Sequence, residues 1–376
     1  MRLDAALSVL TFNVFAGPPT PTPFAAQLDG SDRLRHQVAQ IRALKPDIIC
    51  LQEVQTDGVR EYYTAKLQDT YEASFVLTAD EFRCKAGRLM RKALDHIGPQ
   101  TTLSGFLLGP VQSGLMVLHR REVLERASTV SSFTFREQSG DPLNFVRPRG
   151  ALCVPLRLRS DGSPLCVINT HANAESASFF GAGALFGGHG MPSVPKPSSH
   201  RARQLEELFE HAERLAKEGS RLVVCGDLNS PPELGEIPAR PYDFIDATAV
   251  ACQQQQQQHE QQRQQRQQMQ QMRPLPHASC LYTWDGTRNP LVEHGWFSKG
   301  EGERTQLDYI FTSASSGLQP VSARLVLDCG PPWLSDHFGV LASLCVKPYV
   351  ARKWQQVRKR LQGRTWTLDE DGVWGL

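Results

Sequence analysis

The run Val223-Val224-Cys225-Gly226-Asp227-Leu228-Asn229-Ser230-Pro231 ends an apolar segment abruptly in a carboxylate and an amide two residues apart. Successive side chains on a strand point to opposite faces, so the pattern predicts Asp227 and Asn229 on one side, with Leu228 turned into the core. Gly226 lets another group approach the backbone closely, and Pro231-Pro232 stops the strand. An acceptor and a donor are thereby expected side by side at a strand end, where an open sheet meets its ligand. Gly-Asp-Leu-Asn also occurs in ordinary turns, so its meaning depends on what the rest of the chain delivers to the same place.

Other apolar runs end in the same manner. Ser8 to Val14 is β-rich and carries Asn13 near its end, before a loop with Pro18, Pro19, Pro21 and Pro23. Ser31 or Asp32 can cap a helix whose Leu34, Val38, Ile41 and Leu44 keep helical spacing, and Pro46 ends it. Asp47 to Val54 is then a continuous apolar run of the kind buried on both faces, with Glu53 at its C-terminal end. Thr56 to Leu67 reads as a helix with Val59, Tyr63 and Leu67 on one face.

Ser113 to Leu118, Gly150 to Leu158 and Leu165 to Asn169 read as strands, the last running into Thr170-His171-Ala172-Asn173-Ala174-Glu175. A helix from His200 to Lys217 buries Ala202, Leu205, Phe209, Ala212 and Ala216, is closed by Gly219, and leads straight into the Val223 strand. Phe244 to Ala247 begins a short strand or turn, and Leu281 to Asp285 precedes a polar loop. Leu307 to Phe311 (carrying Asp308), Ala323 to Leu327, and Phe338 to Val346 complete the strands, the last entered through Ser335-Asp336-His337. Strand, helix and strand alternate at both ends of the Leu10–Val224 span, which predicts an α/β class with helices covering sheet.

Four segments stand outside this pattern. Residues 80–110 read as a surface insertion with a basic piece, and 176–197 as a Gly- and Pro-rich loop carrying Phe179, Phe180, Leu185 and Phe186. Gln253 to Met272 is a low-complexity tract that cannot supply a core. After the last strand, Val350, Trp354, Val357 and Leu361 share a helical face among basic residues, the pattern of a helix that lies on an anionic membrane or docks on its own domain. The expected organisation is one catalytic domain over 1–347, interrupted by 253–272, and a basic amphipathic extension over 348–376.

The 376 residues carry a net charge of only +2, which neither excludes a nucleic-acid partner nor supports one. The nine cysteines are scattered without CxxC spacing, and Cys50, Cys153, Cys166, Cys225 and Cys345 fall inside apolar runs, so they read as reduced thiols in a cytoplasmic setting. No apolar run approaches the roughly 20 residues that span a bilayer. Residues 176–190 and 350–361 are the candidates for peripheral membrane contact, and no obligate protein partner is inferred.

Strand ends therefore project Asn13, Glu53, His171, Asp227 with Asn229, Asp308, and Asp336 with His337. Hard oxygen ligands at Glu53, Asp336 and Asn13, without a neighbouring cysteine, suit Mg²⁺ or Mn²⁺ rather than zinc. A divalent ion neutralises phosphate charge, and a carboxylate-steered imidazole manages protons at neutral pH. Phosphodiester hydrolysis needs both in one cleft.

In this order the motifs Leu10-Thr11-Phe12-Asn13, Leu51-Gln52-Glu53, Thr170-His171, Gly226-Asp227-Leu228-Asn229, Leu307-Asp308-Tyr309 and Ser335-Asp336-His337 resemble the endonuclease/exonuclease/phosphatase superfamily. The resemblance implies the DNase-like fold, a four-layer sandwich of two packed mixed β-sheets flanked by helices. Within the superfamily, Thr170-His171-Ala172-Asn173-Ala174-Glu175, Tyr282-Thr283-Trp284-Asp285 and Leu307-Asp308-Tyr309-Ile310-Phe311-Thr312 are similar to Mg²⁺-dependent neutral sphingomyelinases. That likeness implies Glu53 as the principal metal ligand, Asn13 near metal and phosphate, and Asp336 as a further ligand. It implies His337 as general base oriented by Asp308, Asp227 and Asn229 positioning water or phosphate, and His171 at the leaving oxygen, although His171 and His337 can exchange roles.

Asn173 and Trp284 are the candidate substrate-binding residues, Trp284 as an aromatic wall for a quaternary ammonium group or as a structural strand-end residue. The segment Asp328 to Leu334 is too short for the aromatic hairpin of bacterial sphingomyelinases. The expected substrate is sphingomyelin or a related phospholipid. A nucleic acid, an inositol phosphate or a nucleotide is the alternative.

Overall fold

The computed structural model describes residues 5–15, 30–76, 114–138, 148–174, 199–238, 243–253, 257, 281–293, 304–348, 367–368 and 374–375. The expected insertion at 80–110, the 176–190 segment, nearly all of the glutamine tract and the basic 350–361 segment lie outside the described residues.

In chain order the elements are β1 (Ala5–Asn13), α1 (Gly30–Leu44), β2 (Ile48–Gln52), α2 (Asp57–Leu67), β3 (Tyr71–Ser74), β4 (Met116–Arg120), β5 (Leu124–Arg126), β6 (Ser131–Thr134), β7 (Gly150–Leu158) and β8 (Pro164–His171). Then come α3 (Ser199–Lys217), β9 (Arg221–Asp227), β10 (Phe244–Asp246), β11 (Trp284–Asp285), α4 (Pro290–Glu293), β12 (Arg304–Thr305), β13 (Asp308–Ser313), β14 (Leu318–Val326) and β15 (Gly339–Val346). One sheet has six strands in the order β14-β15-β1-β2-β4-β3, and the other runs β10-β13-β9-β8-β7-β5 with β6 also on β7. Each is mixed, with the parallel pairs β1–β2 and β8–β9 among antiparallel neighbours.

Alternation along the central strands builds three cores. Leu7 and Val9 of β1, Ile48 and Cys50 of β2, Leu165 and Val167 of β8, and Val223 and Cys225 of β9 meet between the sheets. On the outer face of the first sheet, Leu10, Phe12, Ile49 and Leu51 pack on Val38 and Ile41 of α1 and Tyr63 and Leu67 of α2. Ile168, Leu222, Val224 and Phe311 of the second sheet pack on Leu205, Phe209 and Ala212 of α3. Strands buried on both faces explain the continuous apolar runs, and the layers are helix, sheet, sheet and helix.

Some elements differ from the sequence expectation. β3, β5 and β6 carry no strong apolar run, and β14 begins at Leu318 rather than near Ala323, because its edge position leaves Gln319, Ser322 and Arg324 partly or fully exposed. Cys50, Cys153, Cys166 and Cys225 are buried free thiols, and burial pushes Cys153 and Cys166 well above the ordinary thiol range.

Candidate active site

The inner positions that hold apolar side chains in the middle of the sandwich turn polar where the strands end. By the same alternation, Thr11 and Asn13 continue Leu7 and Val9, His171 continues Leu165 and Val167, and Asp227 continues Val223 and Cys225. The register aligns them: His171 is paired with Asp227 across the parallel β8–β9 ladder, and Asp308 with Asp227 across antiparallel β9–β13. Three functional groups thus stand in one row on adjacent strands. Gly226 is required between them, since at φ 145° a Cβ there would lie 1.9 Å from the Thr170 carbonyl oxygen of β8.

A buried amide pair separates this polar end from the core. Gln52 Nε2 donates to Asn169 Oδ1 at 2.7 Å and to Thr11 Oγ1 at 3.1 Å, while Asn169 Nδ2 donates to the carbonyls of Leu51 at 2.8 Å and Met116 at 3.1 Å. The pair bridges β2 of one sheet and β8 of the other. It was not anticipated from sequence, because each amide lies inside an otherwise apolar run.

Asp227 is the hub. Its Oδ2 accepts from Asn13 Nδ2 at 3.0 Å and faces His171 Nε2 at 3.4 Å and His337 Nε2 at 3.7 Å. Its Oδ1 accepts the Asn229 backbone N–H at 2.9 Å. Burial, and to a smaller extent the charge of Asp308, lifts its carboxyl to about 7 against the opposing pull of His337.

The expectation that Asn229 follows Asp227 on the pleat is corrected. The strand ends at Asp227 and Asn229 turns left-handed at φ 50°, so an aspartate-capped turn rather than strand alternation brings the two together. Leu228 is fully buried as expected, and Asn229 Nδ2 donates to the Ala172 carbonyl at 3.2 Å.

His337 Nδ1 lies 2.8 Å from Asp308 Oδ2, and Ser335 Oγ receives the His337 backbone N–H at 3.2 Å while donating to the Asn13 carbonyl at 2.6 Å. Burial disfavours the imidazolium, but the charges of Asp308 and Asp227 outweigh it and hold His337 well above the ordinary imidazole range. Asp308 is fully buried, and Thr283 Oγ1 accepts the N–H groups of Leu307 at 2.9 Å and Asp308 at 3.2 Å.

Glu53 takes a left-handed backbone at φ 60°, uncommon for a residue with a long side chain. Its Oε1 accepts from Asn13 Nδ2 at 3.3 Å. Burial raises both Glu53 and Asp336, and the charge of Asp336 raises Glu53 further. Two carboxyls raised by burial, Glu53 further by the charge of Asp336, beside an asparagine and without a thiol, form a donor set that a divalent cation would relieve. Ligand atoms of Asp227, Asp308 and His337 also lie within 4.8 Å of one another, a second group able to hold a metal.

Asn173 is fully buried, its backbone N–H donating to Gln204 Oε1 at 2.9 Å. Trp284 is 7% exposed and packs with Val292 and Leu307, its backbone forming a bridge with that of His337, which leaves little indole face for a ligand. Arg149 was also missed. It immediately precedes Gly150, the register partner of His171, and its guanidinium weakly opposes the upward shift of Glu53.

The model of the endonuclease/exonuclease/phosphatase family matches residues 10–337, from within β1 to His337. The chain belongs to the endonuclease/exonuclease/phosphatase family. Members are metal-dependent phosphoesterases and nucleases, and this chain is an enzyme of that class. No curated protein sequence matches it.

Solved structures share the fold at low identity. A family protein from Bacteroides thetaiotaomicron has a TM-score of 0.57 at 12% identity, over 92% of this chain and 99% of its own. The human Nocturnin catalytic domain with bound sulfate anion has 0.54 at 16%, over 91% and 94%. D. rerio TDP2 complexed with single strand DNA product has 0.55 at 17%, over 91% and 99%.

Proposed function

We propose that this family member hydrolyses a phosphodiester with the aid of Mg²⁺ bound by Glu53, Asp336 and Asn13, and that its first substrate is sphingomyelin, cleaved to ceramide and phosphocholine. The observation that carries the hydrolytic reading is the Asp308–His337–Asp227 chain, with contacts of 2.8 Å and 3.7 Å, beside that acidic pair. Mg²⁺ held by Glu53, Asp336 and Asn13 would supply neutralisation of the phosphate charge.

The residues divide the remaining work. Asp308 fixes the His337 ring through Nδ1, so Nε2 points at Asp227. Water held against Asp227 attacks phosphorus and gives its proton to the Asp227 carboxyl, which burial lifts to about 7 and so suits to accept a proton near neutral pH. Asn229 shapes the turn that aims Asp227. As the bond from phosphorus to the leaving oxygen breaks, His171, 3.4 Å from the same Asp227 oxygen, stabilises or protonates that oxygen.

The sphingomyelin choice rests on the Thr170–Glu175, Tyr282–Asp285 and Leu307–Thr312 motifs. A nuclease is the second reading, favoured by the fold's likeness to a TDP2 complexed with a DNA product. Purified protein with Mg²⁺ is tested side by side on sphingomyelin liposomes, phosphatidylcholine, plasmid DNA and inositol phosphates, with Glu53→Gln and His337→Ala as controls. Release of phosphocholine from sphingomyelin, lost in both variants, is expected. Cleavage of DNA alone, lost in both, overturns the lipid substrate.

A further inference from the structure

The first turn of α3 contains no acidic residue yet places a buried arginine, Arg201, at the positive end of the helix dipole. Burying an ion pair there costs desolvation free energy, and replacing such a pair by apolar residues is often neutral for stability. Its partner Glu236 takes a bidentate bond from Arg201, Nε at 2.6 Å and Nη2 at 2.9 Å, and both residues are buried. Glu236 Oε2 also accepts Ser230 Oγ at 2.8 Å, and the Ser230 carbonyl accepts the Tyr309 hydroxyl at 2.7 Å. Ser230 directly follows the left-handed Asn229, and Tyr309 directly follows Asp308. The pair therefore grips the segment that ends in the site.

One turn further along the same helix, buried Gln204 does the equivalent for the other segment. Its Oε1 accepts the Asn173 N–H at 2.9 Å, two residues past His171, and its Nε2 donates to the Glu137 carbonyl at 2.7 Å. The two gripped segments are joined to each other by the bond of Asn229 Nδ2 to the Ala172 carbonyl and by that of the Ala172 N–H to the Asp227 carbonyl at 2.9 Å.

We propose that Arg201, with Glu236, and Gln204 are positioning residues: the first two turns of α3 form a brace that holds the Asp227–Asn229 turn and the His171 segment in reacting register. The proposal rests on the phosphodiesterase reading of the site. Because Arg201 acts on the site through Glu236 and Ser230, and Gln204 through the Asn173 backbone, their loss is expected to act on kcat rather than on KM.

The test compares wild type, Glu53→Gln, the double variant Arg201→Met/Glu236→Met, Gln204→Met and Arg201→Lys on bis(p-nitrophenyl) phosphate with Mg²⁺. kcat, KM and thermal midpoint are read for each. The apolar double variant is expected to melt cooperatively, with kcat about 10- to 100-fold lower and KM unchanged. Arg201→Lys, which keeps a cation on Glu236, is expected to recover part of that rate. A folded double variant with wild-type kcat overturns the brace. Wild type and Glu53→Gln equally inactive overturn the reading of the site instead.

Discussion

Replacing Asn169 by Leu removes the link between the sheets while keeping the same branched outline of side-chain heavy atoms, although the two methyls are bulkier than the amide they replace and add some overpacking at this fully buried position. Three hydrogen bonds are lost: from Gln52 at 2.7 Å, and to the carbonyls of Leu51 at 2.8 Å and Met116 at 3.1 Å. At about 1 kcal/mol net per bond, the expected loss is about 3 kcal/mol, rising where a carbonyl is left dry. Gln52 keeps its bonds to Thr11 and Cys50 and so limits the damage. Urea unfolding reads the effect as a lower midpoint with unchanged slope. Because Glu53 follows Gln52 directly, the Mg²⁺ concentration for half-maximal activity is expected to rise as well. A loss under about 0.5 kcal/mol, within the range of ordinary surface substitutions, together with an unaltered Mg²⁺ response, would show that the amide pair merely fills space.

Burial depresses His119 from 6.5 to about 4, although Glu72 opposes the shift. The unfolded chain therefore binds a proton that the fold refuses. The contribution of His119 to stability is fully present above about pH 6.5 and falls by up to about 3 kcal/mol as pH drops toward 4, and His119→Leu should remove that part of the slope in urea unfolding followed across pH. Gly226→Ala places a methyl 1.9 Å from the Thr170 oxygen, and a loss of about 3 kcal/mol or more by chemical denaturation is expected. Asp308→Asn keeps the shape of the His337 partner but removes its charge. kcat should fall by at least about 100-fold with KM little changed, and wild-type kcat would refute the role of the Asp308–His337 pair.

The site was legible in sequence because of strand geometry. Asn13, His171 and Asp227 occupy the inner parity of runs whose earlier members are apolar, so the change from apolar to polar marks where the sandwich opens. The two-sheet core was legible for the same reason. Asn229 was misplaced on the pleat because a left-handed turn after Asp227 is set by a side-chain bond that spacing does not encode. Gln52, Asn169, Arg201 and Gln204 act through partners far away in sequence, from 31 to 118 residues, and nothing local distinguishes them from ordinary polar residues. Trp284 had two readings from its aromatic ring, and its packing on Val292 and Leu307 is a contact that its sequence neighbourhood does not show.

A metal-dependent hydrolytic centre built around Glu53 and the Asp308–His337–Asp227 chain must lose its activity with its metal. Its most direct measurement is the rate of bis(p-nitrophenyl) phosphate hydrolysis as a function of Mg²⁺ concentration, in wild type and Glu53→Gln. Saturable, chelator-sensitive hydrolysis in wild type that is lost in Glu53→Gln is predicted. Undiminished hydrolysis in excess chelator, or a Glu53→Gln variant matching wild type at every Mg²⁺ concentration, would contradict it.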